Sequence, residues 1–341
     1  MEVGDSLLTL RRWDDLNSDI LRKIFGSFDY ISDAPSAIAQ VRCSAVCIAW
    51  RSILCDPQLW NVLDLSWLKS NFIKIHQEPY VYVDSRSDET LSRVLKVSLS
   101  LSRGNITTLV LNPELYISDD QLTFTAERSP NLKRLVMPTG DRIKKTGICQ
   151  AIRNWQELES LTVPGIMYPP YLMEVISNHC SNFRELKIMG RFDVRFASTL
   201  VGTYLPNLKV MSLRCSQLVR EALITILDGL PQLEVLNIAH CVLLIEPPRR
   251  NQPLQIVEEL DEVILEKAAR LERFITCTQI DRCIMCQRAR NDGGIMKWYK
   301  FEEGLWKQDE CLEKVGGDLY IYIYIYHGDD VNKAGDYEVW H

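Results

Sequence analysis

Residues 129–135 read SPNLKRL, and the phrase returns with variation as HCSNFREL at 179–186, LPNLKVM at 205–211 and LPQLEVL at 230–236. Each opens a spacing of apolar-x-x-apolar-x-apolar: Leu132-Leu135-Met137, Phe183-Leu186-Ile188, Leu208-Met211-Leu213 and Leu233-Leu236-Ile238. Moving outward, Ile106-Leu109-Leu111 and Leu158-Leu161-Val163 carry the same spacing, and the six starts stand 26, 26, 25, 25 and 25 residues apart. One such match arises easily by chance, whereas six in near-constant register mark a chain built of repeats. Leu271-Phe274-Thr276 adds a copy after a longer gap, and Trp60-Leu63-Leu65 reads as an early, irregular one.

Within a copy the last apolar pair alternates with other residues at period two, which predicts a short strand with one buried face. Between copies, LVREALITILDGL at 218–230 places Leu218, Ala222, Ile226 and Leu227 at helical spacing and closes at Gly229, with Pro231 just beyond. A unit of strand then helix cannot bury its apolar face alone, so neighbours must stack. The expected fold is α/β: parallel strands on a concave face, helices on a convex face, and a helical module in front. Strand residues flanking the buried ones should face the concave side: Arg134 and Val136, Ser160 and Thr162, Glu185 and Lys187, Val210, Ser212 and Arg214, Val235 and Asn237. They are the candidate substrate-binding positions, a mixed surface suited to a protein epitope. Few residues of an interface carry most of its energy, so most of these are expected to be merely solvated.

Near the start, WDDLNSDILRKIF at 13–25 offers Asn17 as a helix cap and Asp19 for the positive end of the helix dipole. Ile20, Leu21, Ile24, Phe25 and Phe28 then fall on one stripe. A second apolar set, Ile38, Val41, Val46, Ala49, Trp50 and Ile53, ends where Pro57 stops the helix and Leu59-Trp60 lead into the first strand-like run. So small a helical unit has a marginal core by itself, which suggests a partner helix or a neighbouring domain. With no Gly/Ser-rich linker after Trp60, the module should pack directly on the end of the solenoid.

The repeat phrases resemble leucine-rich repeats of the cysteine-containing type. The order Trp13-Asp-Asp-Leu16, Asp19-Ile20-Leu21, Ile24-Phe25, Val46-Cys47-x-x-Trp50-Arg51 and Asp56-Pro57 with Leu59-Trp60 resembles an F-box. Together they are similar to plant F-box/leucine-rich-repeat proteins. That resemblance implies a substrate-recognition subunit of a ubiquitin ligase, bound through the F-box to a Skp-type adaptor and through it to cullin, with an unknown protein substrate on the repeats. The adaptor-binding or module-core positions it implies are Leu16, Asn17, Ile20, Leu21, Ile24, Phe25, Val46 and Trp50, Trp50 favouring core because large aromatics are mostly buried. Asn17 stands where the family usually has Pro, which keeps a cap but removes an apolar ring. The organisation expected is a tail over 1–10, the F-box over 11–60, an irregular repeat or connection over 61–105, leucine-rich repeats over 106–276, a cap over 277–318 and a low-complexity tail over 319–341.

The chain has 341 residues, 46% hydrophobic and 25% charged, so bulk disorder is not expected. A net charge of −6 without a dense basic cluster argues against nucleic acid. The acidic N-terminus lacks the features of a secretory signal, and no stretch reaches the roughly 20 apolar residues of a membrane helix. Eleven Cys with no export signal suggest reduced thiols in the cytoplasm, the nucleus or both. Nucleophile-elbow, zincin, phosphate-loop and dinucleotide motifs are missing from the sequence, and the family resemblance implies a non-catalytic role. Cys283-Ile-Met-Cys286, with Cys277 before and Cys311 after, has the bite for half a zinc site, but the second pair is not a C-x-x-C. Reduced cysteines in a terminal cap are the expectation, with no metal or cofactor assigned, and His179 and His240 at repeat boundaries read as structural. A small-molecule receptor is disfavoured, since no basic cluster stands on the concave strands. A repeat scaffold that assembles no ligase is the alternative function. PLQIVEELDEVILEKAARLERF at 253–274 reads as an amphipathic helix, and YIYIYIY at 320–326 as an atypical tail prone to aggregate if exposed.

Overall fold

The computed structural model describes residues 16–26, 43, 46–66, 68–74, 81–112, 115–138, 143–163, 169–188, 191–201, 205, 207–245, 255–257, 259–277 and 286–287. The expectations for the N-terminal tail, Phe28, Ile38, Val41, Cys283, Cys311 and the YIYIYIY run lie outside these residues. The chain divides into residues 1–310 and 311–341, and everything described belongs to the first unit. No described helix is long and apolar enough to cross a membrane.

Eight strands form one parallel sheet in chain order: Val62–Leu65, Thr108–Leu111, Arg134–Val136, Ser160–Val163, Glu185–Ile188, Val210–Ser212, Val235–Asn237 and Arg273–Ile275. The six regular copies make the middle, and the irregular copies at Leu63 and Phe274 make the two edges. Register is unbroken, so Leu63, Leu109, Leu135, Leu161, Leu186, Met211, Leu236 and Phe274 form one row. All but Phe274 are fully buried, each contributing about 1.5–3 kcal/mol by leaving water.

A tight turn launches the five strands from Arg134–Val136 to Val235–Asn237, the amide of the first apolar residue donating to the carbonyl three residues earlier. Leu132 pairs with Ser129, Leu158 with Trp155, Phe183 with Cys180, Leu208 with Leu205 and Leu233 with Leu230, at 3.1–3.2 Å. Those launching residues sit in the core and in part bond one another: Trp155 Nε1 donates to Ser129 Oγ at 3.1 Å, and Cys180 Sγ to the Trp155 carbonyl at 3.3 Å. The helices Asp119–Arg128, Lys145–Asn154 and Pro169–His179 pack each on the next, as do Val194–Thr199 and Arg220–Gly229. A Cβ on Gly229 would collide with the Val201 side chain. Gly229→Ala should therefore destabilise by about 1–3 kcal/mol through overpacking, seen as a lower urea midpoint at unchanged m-value.

Three features depart from the sequence reading. Leu218 belongs to a strand, Gln217–Val219, and the helix begins at Arg220. That strand joins Arg191–Phe192, Val242–Ile245 and Gln255–Val257 in a second sheet, so several units carry a further strand between the first strand and the helix. The 253–274 segment is also not one helix: Gln255–Val257 pairs antiparallel with Val242–Ile245, and the helix is only Glu262–Ala268. The β-branched pair Ile256-Val257 completes an available edge, and Asp261 starts the helix by accepting from the Ile264 amide at 3.1 Å.

Asp261 also accepts from Arg220 Nε, joining this last helix to the one before. The Arg220 hydrogen bond is the main cause holding the Asp261 carboxyl below its ordinary 3.8. A depressed carboxylate stabilises fully above the unfolded-state value and loses that contribution as pH falls through the folded one. Asp261→Asn keeps the cap oxygen and removes the charge. The urea midpoint should therefore drop slightly and constantly above about pH 5, the gap closing in acid, with the small size of a half-exposed pair.

Candidate functional site

The first helix, Ser18–Gly26, is capped as its sequence demands: Asn17 Oδ1 accepts from the Asp19 amide at 2.7 Å. Its apolar stripe divides in two. Leu21 and Phe25 are buried with Ile53 and Leu54 of the helix Ile48–Leu54, while Leu16, Cys43, Trp50 and Leu59 cover the edges of that small core. Trp50 meets the Phe25 ring edge-on at 5.3 Å between centroids and is half-buried. One residue along, Ile20 and Ile24 remain 49% and 36% exposed, Val46 61% and Ile48 85%. Leu21 and Phe25 thus hold the module together, whereas Ile20, Ile24 and Val46 face outward. Sequence reasoning missed Ile48, whose only signal is an isoleucine off the stripe set by Ala49, Trp50 and Ile53.

Arg22 fixes the first helix to the end of the module, its Nε donating to Asp56 Oδ2 at 2.9 Å while NH1 reaches Asp19 at 3.1 Å. Asp56 in turn caps the 3-10 turn Pro57–Trp60. Trp60 is buried and its Nε1 donates to the Leu54 carbonyl at 2.7 Å. One residue later the Asn61 carbonyl accepts from the amides of Thr107 and Thr108 at 2.8 and 3.0 Å. The helical module passes into the sheet without a linker.

The predicted concave positions fall into two rows. Asp64, Val110, Val136, Thr162, Lys187, Ser212, Asn237 and Ile275 form one; Val62, Thr108, Arg134, Ser160, Glu185, Val210, Val235 and Arg273 form the other. Val136, Ser160, Thr162, Lys187, Val210, Ser212, Val235 and Asn237 are buried, and so is Arg214 beyond the strand. Only Arg134 and Glu185 of the predicted set are partly exposed, with Val62 and Arg273 more so at the sheet edges. The middle of this face is therefore largely shut off from water, and the rows stay open chiefly at their ends. Among the described residues, His240, Cys277 and Cys286 are the group of metal-ligand type, their donor atoms all within 4.8 Å of one another.

A family model for the F-box domain matches residues 13–62, and one for the LRR repeats of FBD-associated F-box protein At5g56370 matches residues 148–291. F-box/LRR-repeat protein At3g48880 of Arabidopsis thaliana is 55% identical over 301 residues, covering 88% of this chain and 95% of that protein. The chain belongs to the F-box/LRR-repeat family. More distant relatives from the same plant include F-box protein SKIP1, 24% identical over 57% of the chain and 69% of that protein. F-box protein FBW2 is 23% identical over 68% of each. In this F-box/LRR-repeat protein the F-box match ends at the first strand of the sheet, where the Asn61 carbonyl joins module and repeats.

Proposed function

We propose that this F-box/LRR-repeat protein is the substrate-recognition subunit of a cullin-RING ubiquitin ligase. Its F-box docks a Skp-type adaptor and through it cullin, and its repeats hold a protein substrate. The observation that carries the reading is the divided stripe of the first helix: with Leu21 and Phe25 satisfied internally, Ile20, Ile24, Val46 and Ile48 are left facing outward. Exposed aliphatic side chains on adjoining short helices suit a partner helix. Leu16 and Trp50 pack on the small core behind these side chains, and Asn17 supports the helix by ordering its start.

The chain then performs no bond chemistry. It holds a substrate lysine near a charged conjugating enzyme, converting a bimolecular encounter into one within a complex. Such a role works in the cytoplasm or nucleus and depends on a stiff joint, which the Trp60 and Asn61 contacts supply. Arg134, Glu185 and Arg273 are the charged strand positions best placed to meet the substrate. Co-expression with a plant Skp-type adaptor, followed by affinity purification of the full chain, tests the assignment. A one-to-one complex is expected. An adaptor left wholly unbound by folded protein would defeat the assignment and favour a repeat scaffold outside any ligase.

A further inference from the structure

Three residues from separate parts of the chain meet beside the last strands of the main sheet. His240 follows Val235–Asn237, Cys277 follows Arg273–Ile275, and Cys286 lies nine residues further along. Their donor atoms lie within 4.8 Å of one another, with His240 Nδ1 3.4 Å from Cys286 Sγ. We propose that His240, Cys277 and Cys286 bind a zinc ion that pins the end of the repeats.

Geometry and donor chemistry both support this. Tetrahedral zinc, with bonds of about 2.3 Å to sulfur and 2.0 Å to nitrogen, has ligand-to-ligand edges of roughly 3.5–3.8 Å. The His240 Nδ1 to Cys286 Sγ separation of 3.4 Å is close to that length, and every other donor pair lies within 4.8 Å. Thiolate and imidazole donors select zinc over magnesium or calcium, which take oxygen. The sequence adds an independent sign, because Cys283 stands in C-x-x-C spacing with Cys286, the usual bite of two thiolates on one ion. Cys283 lies outside the described residues and enters only through that spacing.

The backbone at His240 is not itself the sign. Its φ of 59° recurs at Cys215, one repeat earlier, so the left-handed turn belongs to the repeat and the imidazole is particular to this copy. The ring approaches Cys286 through Nδ1, while Nε2 lies 3.5 Å from an Arg214 NH2 group. Metal on Nδ1 leaves the ring proton on Nε2, so the Arg214 guanidinium must shift from its present contact with that nitrogen. The ion would tie three separated segments, adding binding energy to the fold beside the last strand of the sheet.

The full chain, purified in metal-free buffer and measured by inductively coupled plasma mass spectrometry, should carry about one zinc per molecule. Cobalt exchanged into it should give thiolate-to-metal charge-transfer absorption and tetrahedral visible bands. Cys286→Ser and His240→Gln should each lower zinc to below about a tenth of that, while Cys149→Ser, at a buried thiol on another repeat, should leave it unchanged. If the site variants fail to fold, the wild-type zinc content and cobalt spectrum decide alone. Folded wild type with neither zinc nor a cobalt–thiolate spectrum would overturn the proposal, as would full zinc retention in Cys286→Ser. A bare thiol–imidazole hydrogen bond would then account for the contact.

Discussion

Ile20→Asp combined with Ile24→Asp should reduce adaptor capture by on the order of 10³-fold, since two interface anchors at about 2 kcal/mol each amount to roughly 4 kcal/mol. The thermal midpoint should fall only modestly, because Ile20 and Ile24 are 49% and 36% exposed and the charge that Ile24→Asp adds at the helix C-terminal end costs about 0.3–1 kcal/mol. Phe25→Ala supplies the contrast. Phe25 is 1% exposed, packs against Leu21, Ile53 and Leu54 and meets Trp50 edge-on. Its truncation should cost about 3–5 kcal/mol of folding and lose the adaptor only by dismantling the module. Binding and circular dichroism on both variants separate the cases. Equal capture by wild type and the folded double Asp variant would remove the outward stripe from the interface.

Trp155→Ala should be the most damaging single change in the repeats. The side chain is completely buried, so truncation opens a large cavity worth about 3–5 kcal/mol. It also removes one of the two hydrogen bonds of the buried Ser129 hydroxyl, which accepts from Trp155 Nε1 at 3.1 Å and donates to the Thr125 carbonyl at 2.7 Å. Trp155→Phe keeps much of the volume and removes the donor, so it should lose about 1–3 kcal/mol and fall between wild type and Ala. Urea unfolding, read as both midpoint and slope, is the measurement. A Phe variant as unstable as Ala would mean that shape rather than the indole hydrogen bond governs the site. In a stack where each unit leans only on its neighbours, such a defect should uncouple the copies on either side and broaden the transition.

Much of the architecture was legible because register is a property of the chain. The near-constant spacing of Leu132, Leu158, Phe183, Leu208 and Leu233 needs no partner to be recognised, and it places one buried residue of each strand beside its counterpart in the next. The Asn17 cap was legible for the same reason, being settled by local backbone donors. Gln255–Val257 was misread because helix and strand share that short apolar composition, and only the open edge of Val242–Ile245 chose between them.

The sites were less legible. Periodicity puts Ile20, Leu21, Ile24 and Phe25 on one stripe, but which half meets Ile53 and Leu54 depends on where the second helix lies. Alternation puts Thr162, Lys187 and Asn237 on one face of the sheet, yet says nothing of how much water reaches that face; they are buried. His240 had no ligand-spaced partner in the sequence, and its meeting with Cys277 and Cys286 exists only because the strands they follow are neighbours in the sheet. The linear chain determined repeat period, strand register and helix caps, since these rest on contacts between near neighbours or on regular recurrence. Which side chains are sealed, which face outward and which distant donors converge was decided by the tertiary structure, because burial and coordination depend on residues that only stacking brings together.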